Sequence, residues 1–247
     1  MMLKNKFAVI TGSNKGIGLS ILENFSKNGA NIIACARSKT DEFEKRCIEI
    51  SKKNNNKIFP VYFDLNKENE ILDGLKNIET ITQDLDILVN NAGINQASLL
   101  QMTQMKTVKE VFQVNFFSAV MLTQKLMKIM IKNRKGSIIN ISSNAAIECN
   151  AGRSIYSASK SAIVAFTKSL SKELGAFNIR TNAIAPGLTN TKMMSQGIQQ
   201  KIIEDAIKRI PMKKVAEPDD ISNVALFLAS DLSSYVNGET IFVTGGY

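Results

Sequence analysis

Histidine does not occur anywhere in the 247 residues. Its absence excludes Ser-His-Asp and Cys-His nucleophilic catalysis and every metal site built on imidazole, and no metal is expected. Cysteine is scarce. Cys35, Cys47 and Cys149 are scattered, with no metal-ligand spacing and no even-numbered disulfide framework. Such thiols fit a reducing compartment, so a cytoplasmic protein is expected. No run of eighteen apolar residues is present, and no membrane span is expected. The short apolar run in MMLKNKFAVITGS leads straight into a glycine loop without a small-residue cleavage site, and reads as a first strand rather than a signal peptide. Internal repeats, low-complexity stretches and linkers rich in Pro, Gly or Ser are also missing.

What is present suits one large α/β domain: 44% of residues are hydrophobic, enough for an ordinary core. The net charge of +9 can draw anionic partners such as nucleotides, acyl-carrier proteins or nucleic acid. Lysine pairs such as Lys52-Lys53 and Lys213-Lys214 are short and carry no interleaved aromatics. They read as solvated faces, and nucleic acid is not expected as a partner.

Apolar runs of strand length alternate with segments of helical period. Strands are expected at 7–11, 31–36, 58–63, 86–90, 137–142, 179–185 and 240–243. Helices are expected at about 16–28, 41–53, 68–81, 107–132, 154–176, 195–208 and 218–229. The strands are apolar on both faces, which predicts a doubly wound parallel sheet covered by helices on both sides, in one domain spanning 1–247.

After the first strand comes Thr11-Gly12-Ser13-Asn14-Lys15-Gly16-Ile17-Gly18. A strand, a glycine turn and a helix start let backbone approach a pyrophosphate and aim amides at it. The spacing is GxxxGxG rather than GxGxxG, and a plain turn between strand and helix is the alternative. An acidic residue at the end of the second strand would bind a ribose 2′-hydroxyl, but Cys35-Ala36-Arg37-Ser38 stands there instead. Arg37, with Lys15, suits a 2′-phosphate, so NADP(H) is expected over NAD. After the third strand, Asp64-Leu65 is placed either to meet an adenine amino group or to cap the following helix.

The stretch ISSNAAIECNAGRSIYSASKS from Ile141 to Ser161 holds the chemistry. Tyr156 and Lys160, four apart on a helix, share one face. An ammonium beside a phenol favours the phenolate, so the pair can exchange a proton with a carbonyl or alcohol oxygen, and Ser143 can hold that oxygen by a hydrogen bond. Taken alone, a Tyr and a Lys at this spacing also arise by chance.

With these residues placed, the chain resembles the short-chain dehydrogenase/reductase family over nearly its whole length. TGSNKGIG (11–18), NNAG (90–93), the Ser143, Tyr156 and Lys160 set and Pro186-Gly187 fall in the family's order. The resemblance implies a Rossmann-type domain with a seven-stranded parallel sheet. It implies Tyr156 as general acid/base, Lys160 as the residue that lowers its pKa and holds the ribose hydroxyls, and Ser143 as the orienter of the carbonyl. It adds Asn115, which would hold a water in a relay to Lys160. Asn91 would lie beside the cofactor and Thr189 near the nicotinamide carboxamide. It also implies a homotetramer or dimer, assembled through helices 107–132 and 154–176.

Within the family the wording is similar to 3-oxoacyl-[acyl-carrier-protein] reductases, which implies an acyl-thioester substrate on acyl-carrier protein. Ala97 and Phe177 depart from that pattern, and Arg134 keeps it. An NADP-dependent reductase or dehydrogenase of a sugar, polyol or other small hydroxy or keto compound, with the same residues, is the alternative. An NADP-sensing scaffold without turnover is the non-enzyme alternative. Substrate specificity is expected from 144–154 and from 189–208, where Met193, Met194, Ile198, Ile202 and Ile203 form an apolar stripe fit for a lid or for packing on the sheet.

Overall fold

A computed structural model describes residues 1–197 and 200–247. Seven parallel strands form one sheet in the order β3-β2-β1-β4-β5-β6-β7. They are β1 (Phe7–Thr11), β2 (Asn31–Ala36), β3 (Ile58–Tyr62), β4 (Ile87–Asn90), β5 (Gly136–Ile141), β6 (Ile179–Pro186) and β7 (Thr240–Val243). Consecutive side chains on a strand point to opposite faces, and both faces are apolar here. Ala8, Ile10, Ile32, Ala34, Ile87, Val89, Ile139 and Ile141 enter one core; Val9, Ile33, Leu88 and Ile138, between them, enter the other. That alternation is why the strands read as unbroken hydrophobic runs.

The first core is closed by α1 (Gly16–Lys27), α2 (Asp41–Asn54) and α10 (Pro218–Ala229). The second is closed by α3 (Glu68–Ile81), α5 (Ser118–Asn133) and α7 (Ser154–Leu174). The remaining helices are α4 (Met105–Phe112), α6 (Ala145–Glu148), α8 (Lys192–Gly197) and α9 (Gln200–Arg209). Over the helix expected at 195–208 the described residues are helical at Lys192–Gly197 and Gln200–Arg209, so helix begins earlier, at Lys192. The helical stretch from Met105 to Asn133, made of α4, a π-helical turn and α5, is long and apolar enough by length and composition to cross a membrane. Its residues Val111, Leu122, Leu126, Ile129 and Met130 are buried in the protein.

One departure matters for function. The single helix expected over 107–132 is interrupted by a π-helical turn at Gln113–Phe117, where the Ser118 amide reaches the Gln113 carbonyl, five residues back. Such a turn holds one residue more than an α-turn and recurs at functional sites. Here it carries the buried Asn115.

The strand order reverses between β1 and β4: the chain winds outward through β2 and β3, then returns to β4 on the other side of β1. The crevice beyond the carboxyl ends of such strands is where open α/β sheets take ligands.

Candidate active site

The glycine turn lies at that crevice. Gly12 and Gly16 have φ of 65° and 55°, conformations that a side chain resists. A Cβ on Gly18 would lie 2.2 Å from the Gly12 carbonyl oxygen and 2.4 Å from Asn91 Nδ2. The neighbour is backbone and cannot step aside. Gly18→Ala is therefore expected to cost about 1–3 kcal/mol of stability by overpacking and to weaken dinucleotide binding. Thermal unfolding and a cofactor titration check both. The amides opening α1 receive no side-chain cap, and its first turn holds no acidic residue, so they remain available to an anion.

Two residues expected at the cofactor act inside the turn. Ser13 is fully buried; its amide and hydroxyl each donate to the Cys35 carbonyl at 3.1 Å, tying the turn to β2. Asn91 Nδ2 donates to the carbonyls of Thr11 (2.8 Å) and Gly12 (3.3 Å), and so shapes the turn from the β4 side. Thr11 Oγ1 completes the clamp, accepting from the amides of Asn91 and Ala92 at 2.9 and 3.0 Å.

A cavity of about 770 Å³ opens over these elements. Gly12, Asn14, Lys15, Gly16, Ile17 and Gly18 line one end, and Asn91 the floor. Ser143, Tyr156, Lys160 and Thr189 line the middle. Both expected specificity segments form walls, through Asn144, Glu148 and Arg153 on one side and Met193 and Met194 on the other. Ile203 is buried. Ile198 and the side chain of Ile202 lie outside the described residues. Arg37, Asp64 and Leu65 stand beyond this cavity, where β2 and β3 end. Arg37 is exposed and forms no ion pair among the described residues. The Asp64 carboxylate accepts from the Asn66 amide at 2.9 Å, a local turn bond rather than a helix cap. Leu65 is buried, and its carbonyl accepts from Gln113 Nε2 at 3.2 Å. Among the described residues no cluster of metal-ligating side chains occurs.

The side chains expected to react, with Asn115 on the π-helical turn, come from three elements. Ser143 follows β5, and Tyr156 and Lys160 stand one turn apart on α7. Lys160 is buried and its Nζ donates to the Ile141 carbonyl at 2.8 Å, while Ser142 Oγ donates to the Lys160 carbonyl at 2.9 Å. Helix and strand end are thereby locked together. Asn115 Oδ1 accepts from the Ile94 amide at 2.8 Å, and Nδ2 donates to the Ile94 carbonyl at 3.0 Å and to Ser159 Oγ at 3.1 Å. Gly93, which the sequence reading left without a role, is where these groups meet: a Cβ there would lie 3.2 Å from Asn115 Oδ1 and 3.4 Å from Lys160 Nζ.

The electrostatics differ from expectation. Burial pushes the Tyr156 phenol above its ordinary value, with a hydrogen bond from Ser143 and the charge of Arg153 pulling the other way. The ring lines the cavity, and the loss of water around the phenol governs the sign. Lys160 is not among the groups acting on the phenol. Burial depresses its own pKa from 10.5 to about 8. The lowering of Tyr156 by Lys160 is therefore not seen: the amine faces the Ile141 carbonyl and gains no charged partner.

A family model described as enoyl-(acyl carrier protein) reductase matches residues 12–247. The chain belongs to the short-chain dehydrogenase/reductase family. As a member it is an oxidoreductase. It is 37% identical over 247 residues to the 3-oxoacyl-[acyl-carrier-protein] reductase FabG of Aquifex aeolicus, covering 99% of this chain and 98% of that one. It is equally 37% identical, over 247 residues, to a 3alpha-hydroxysteroid dehydrogenase of Mediterraneibacter gnavus, covering 99% and 98%. A solved structure from Beutenbergia cavernae, described as an NAD(P)-dependent gluconate 5-dehydrogenase with bound NADP, superposes with a TM-score of 0.93 at 30% identity, covering 99% and 97%. In this family member the positive-φ glycines, the uncapped α1 amides and the side-chain-free space before Asn115 and Lys160 fit a nicotinamide dinucleotide.

Proposed function

We propose that this protein is an NADPH-dependent carbonyl reductase of 3-oxoacyl thioesters, with Tyr156 as the proton donor. The observation that carries the reading is the meeting of Ser143, Tyr156 and Lys160 in one cavity whose other end is the glycine turn. When bound, the reduced nicotinamide supplies a hydride to the carbonyl carbon. Tyr156 protonates the carbonyl oxygen and Ser143 holds that oxygen in line. A phenol held neutral by burial is in the right state to donate. Lys160 and Asn115, side by side at Gly93, form the inner end of a proton path from Tyr156 toward solvent. With Lys160 at about 8, the amine gives up or takes a proton near neutrality. Lys15, Asn14 and the α1 amides hold the phosphates, Asn91 shapes the floor and Thr189 flanks the nicotinamide end.

Arg37 is the reader of the 2′-phosphate, and its exposure without a carboxylate partner among the described residues supports this. Arg37→Asp should move preference toward NADH by at least about tenfold in kcat/KM, the scale of one charge-assisted contact. Rates with both cofactors at saturating substrate check it; unchanged NADPH selectivity assigns the phosphate elsewhere.

The thioester reading rests on the similarity to the Aquifex reductase. Delivery by acyl-carrier protein is the weaker part of it. Arg134 donates to the Ala176 carbonyl at 2.9 Å and packs over the Phe177 ring at 5.9 Å, so the retained docking position is engaged by the departed one. Reduction of a small keto compound, or oxidation of the matching hydroxy compound, is the second reading, favoured by the likeness to the gluconate dehydrogenase structure. Steady-state rates with a 3-oxoacyl thioester, free and on acyl-carrier protein, against a keto-sugar acid separate the readings. Assembly into a dimer or tetramer through α5 and α7 belongs to the same proposal. Phe117, 48% exposed beside Phe116 and Phe112, supports it.

A further inference from the structure

Arg153 breaks a local rule. It occupies the N-cap of α7, where Ser, Thr, Asp or Asn is preferred, and makes no side-chain cap bond. A cation at a helix N-terminus opposes the helix dipole. Residues that violate local preference without local compensation mark function. Arg153 is nevertheless held firmly. Its amide donates to the Asn150 carbonyl at 3.1 Å, and its carbonyl accepts from the Ser157 amide at 2.7 Å. Beside it, the Ser98 amide donates to the Gly152 carbonyl at 2.9 Å, strapping the 94–98 wall to the 150–153 wall. Arg153 Nη1 donates to Asn95 Oδ1 across the same seam.

The guanidinium lines the cavity, its carbon 5.7 Å from the Tyr156 ring centroid. A guanidinium has five N–H donors, and Asn95 takes one. No carboxylate pairs with Arg153 among the described residues. Glu148, on the same wall, is taken up by Asn144 Nδ2 at 2.7 Å and Asn150 Nδ2 at 3.1 Å. A half-buried, anchored, unneutralised fork beside the proton donor is arranged to meet an acceptor on whatever approaches that donor.

We propose that Arg153 is the specificity-determining residue of this cavity: it binds a second oxygen function, a carbonyl or carboxylate, borne two carbons from the carbonyl that Tyr156 protonates. This rests on the reductase reading and names its substrate class, 3-oxo compounds oxygenated at C1. A 3-oxoacyl thioester and a free 3-oxo acid both present that oxygen; a simple monoketone does not.

The test compares kcat/KM for the acetoacetyl thioester of N-acetylcysteamine, for acetoacetate and for 2-pentanone. The wild type, Arg153→Met, Arg153→Lys and Asn95→Ala are measured with each. The wild type should prefer at least one of the two C1-oxygenated substrates over the monoketone. Arg153→Met should cut that preference about tenfold or more, mostly through KM, as expected for a lost charge-assisted hydrogen bond. Arg153→Lys should restore part of the preference for acetoacetate and less for the thioester, because charge returns without the fork. Asn95→Ala should weaken the preference in the same direction, which decides the matter if Arg153→Met does not fold. Equal loss on all three substrates, or a wild type that does not distinguish them, would overturn the proposal and leave Arg153 as a latch between the two walls. An Arg153-dependent preference for acetoacetate without thioester turnover would uphold the proposal and remove the thioester reading.

Discussion

Tyr156→Phe should lower kcat by about 10²–10⁴-fold, the range for losing a positioned proton donor. Dinucleotide affinity should change little. The substitution deletes one oxygen and keeps the ring that Arg153 packs over. The phosphate end of the cavity is built from the glycine turn and α1, on the far side of the sheet's switch point. The deleted hydroxyl lies in the cavity, and its removal introduces no new charge. Steady-state kinetics with a cofactor titration separate the two effects. A parallel loss of cofactor binding would mean that the phenol holds the ribose rather than the proton.

Lys160→Met should abolish turnover and yet stabilise the protein measured without added cofactor. Burial lowers the Lys160 pKa from 10.5 to about 8, and among the described residues the ammonium has no anionic partner in return. The sign follows from proton counting. Between pH 8 and 10.5 the unfolded chain binds the proton that the folded chain has released. Stability from this group therefore rises with pH across that window, and the full penalty applies below it. A shift of this size corresponds to roughly 2–4 kcal/mol at pH 7. The bond from Nζ to the Ile141 carbonyl offsets part of this when it is lost. A net rise of about 1–3 kcal/mol should lift Tm by about 2–12 °C for a chain of this length. The gap between wild type and variant should close as pH is raised towards 10.5, the ordinary lysine value. A variant less stable than wild type at every pH would show that the amine is held by compensation this account lacks. A stabilised, inactive variant is what a functional site that sacrifices stability for chemistry produces.

Much of the fold was legible because hydrophobic period and turn chemistry agree. All seven strands lie within a residue or so of where the apolar runs placed them, and Gly16 and Pro218 open helices where expected. The π-helical turn was not legible. Gln113, Val114, Asn115, Phe116 and Phe117 are ordinary helix residues, and the extra residue is set by where Asn115 must bond to Ile94. For the candidate site, the sequence foretold which residues share the cavity better than what surrounds them. The cavity brings Ser143, Tyr156 and Lys160 together, but Ser13 turns inward to the Cys35 carbonyl because a small hydroxyl beside a strand end satisfies backbone first. The sign of the Tyr156 shift escaped a reading from spacing, since spacing gives the distance between two groups and not the protein that surrounds them. Arg153 escaped because its meaning lies in what it does not contact.

The most direct test of the central claim is the pH dependence of kcat/KM in both directions with one carbonyl–alcohol pair. Proton donation by Tyr156 predicts that reduction falls and oxidation rises through a common apparent pKa belonging to Tyr156, and that this transition is missing from the residual activity of Tyr156→Phe. Two limbs that move in the same direction, or a transition that persists in the variant, would contradict it.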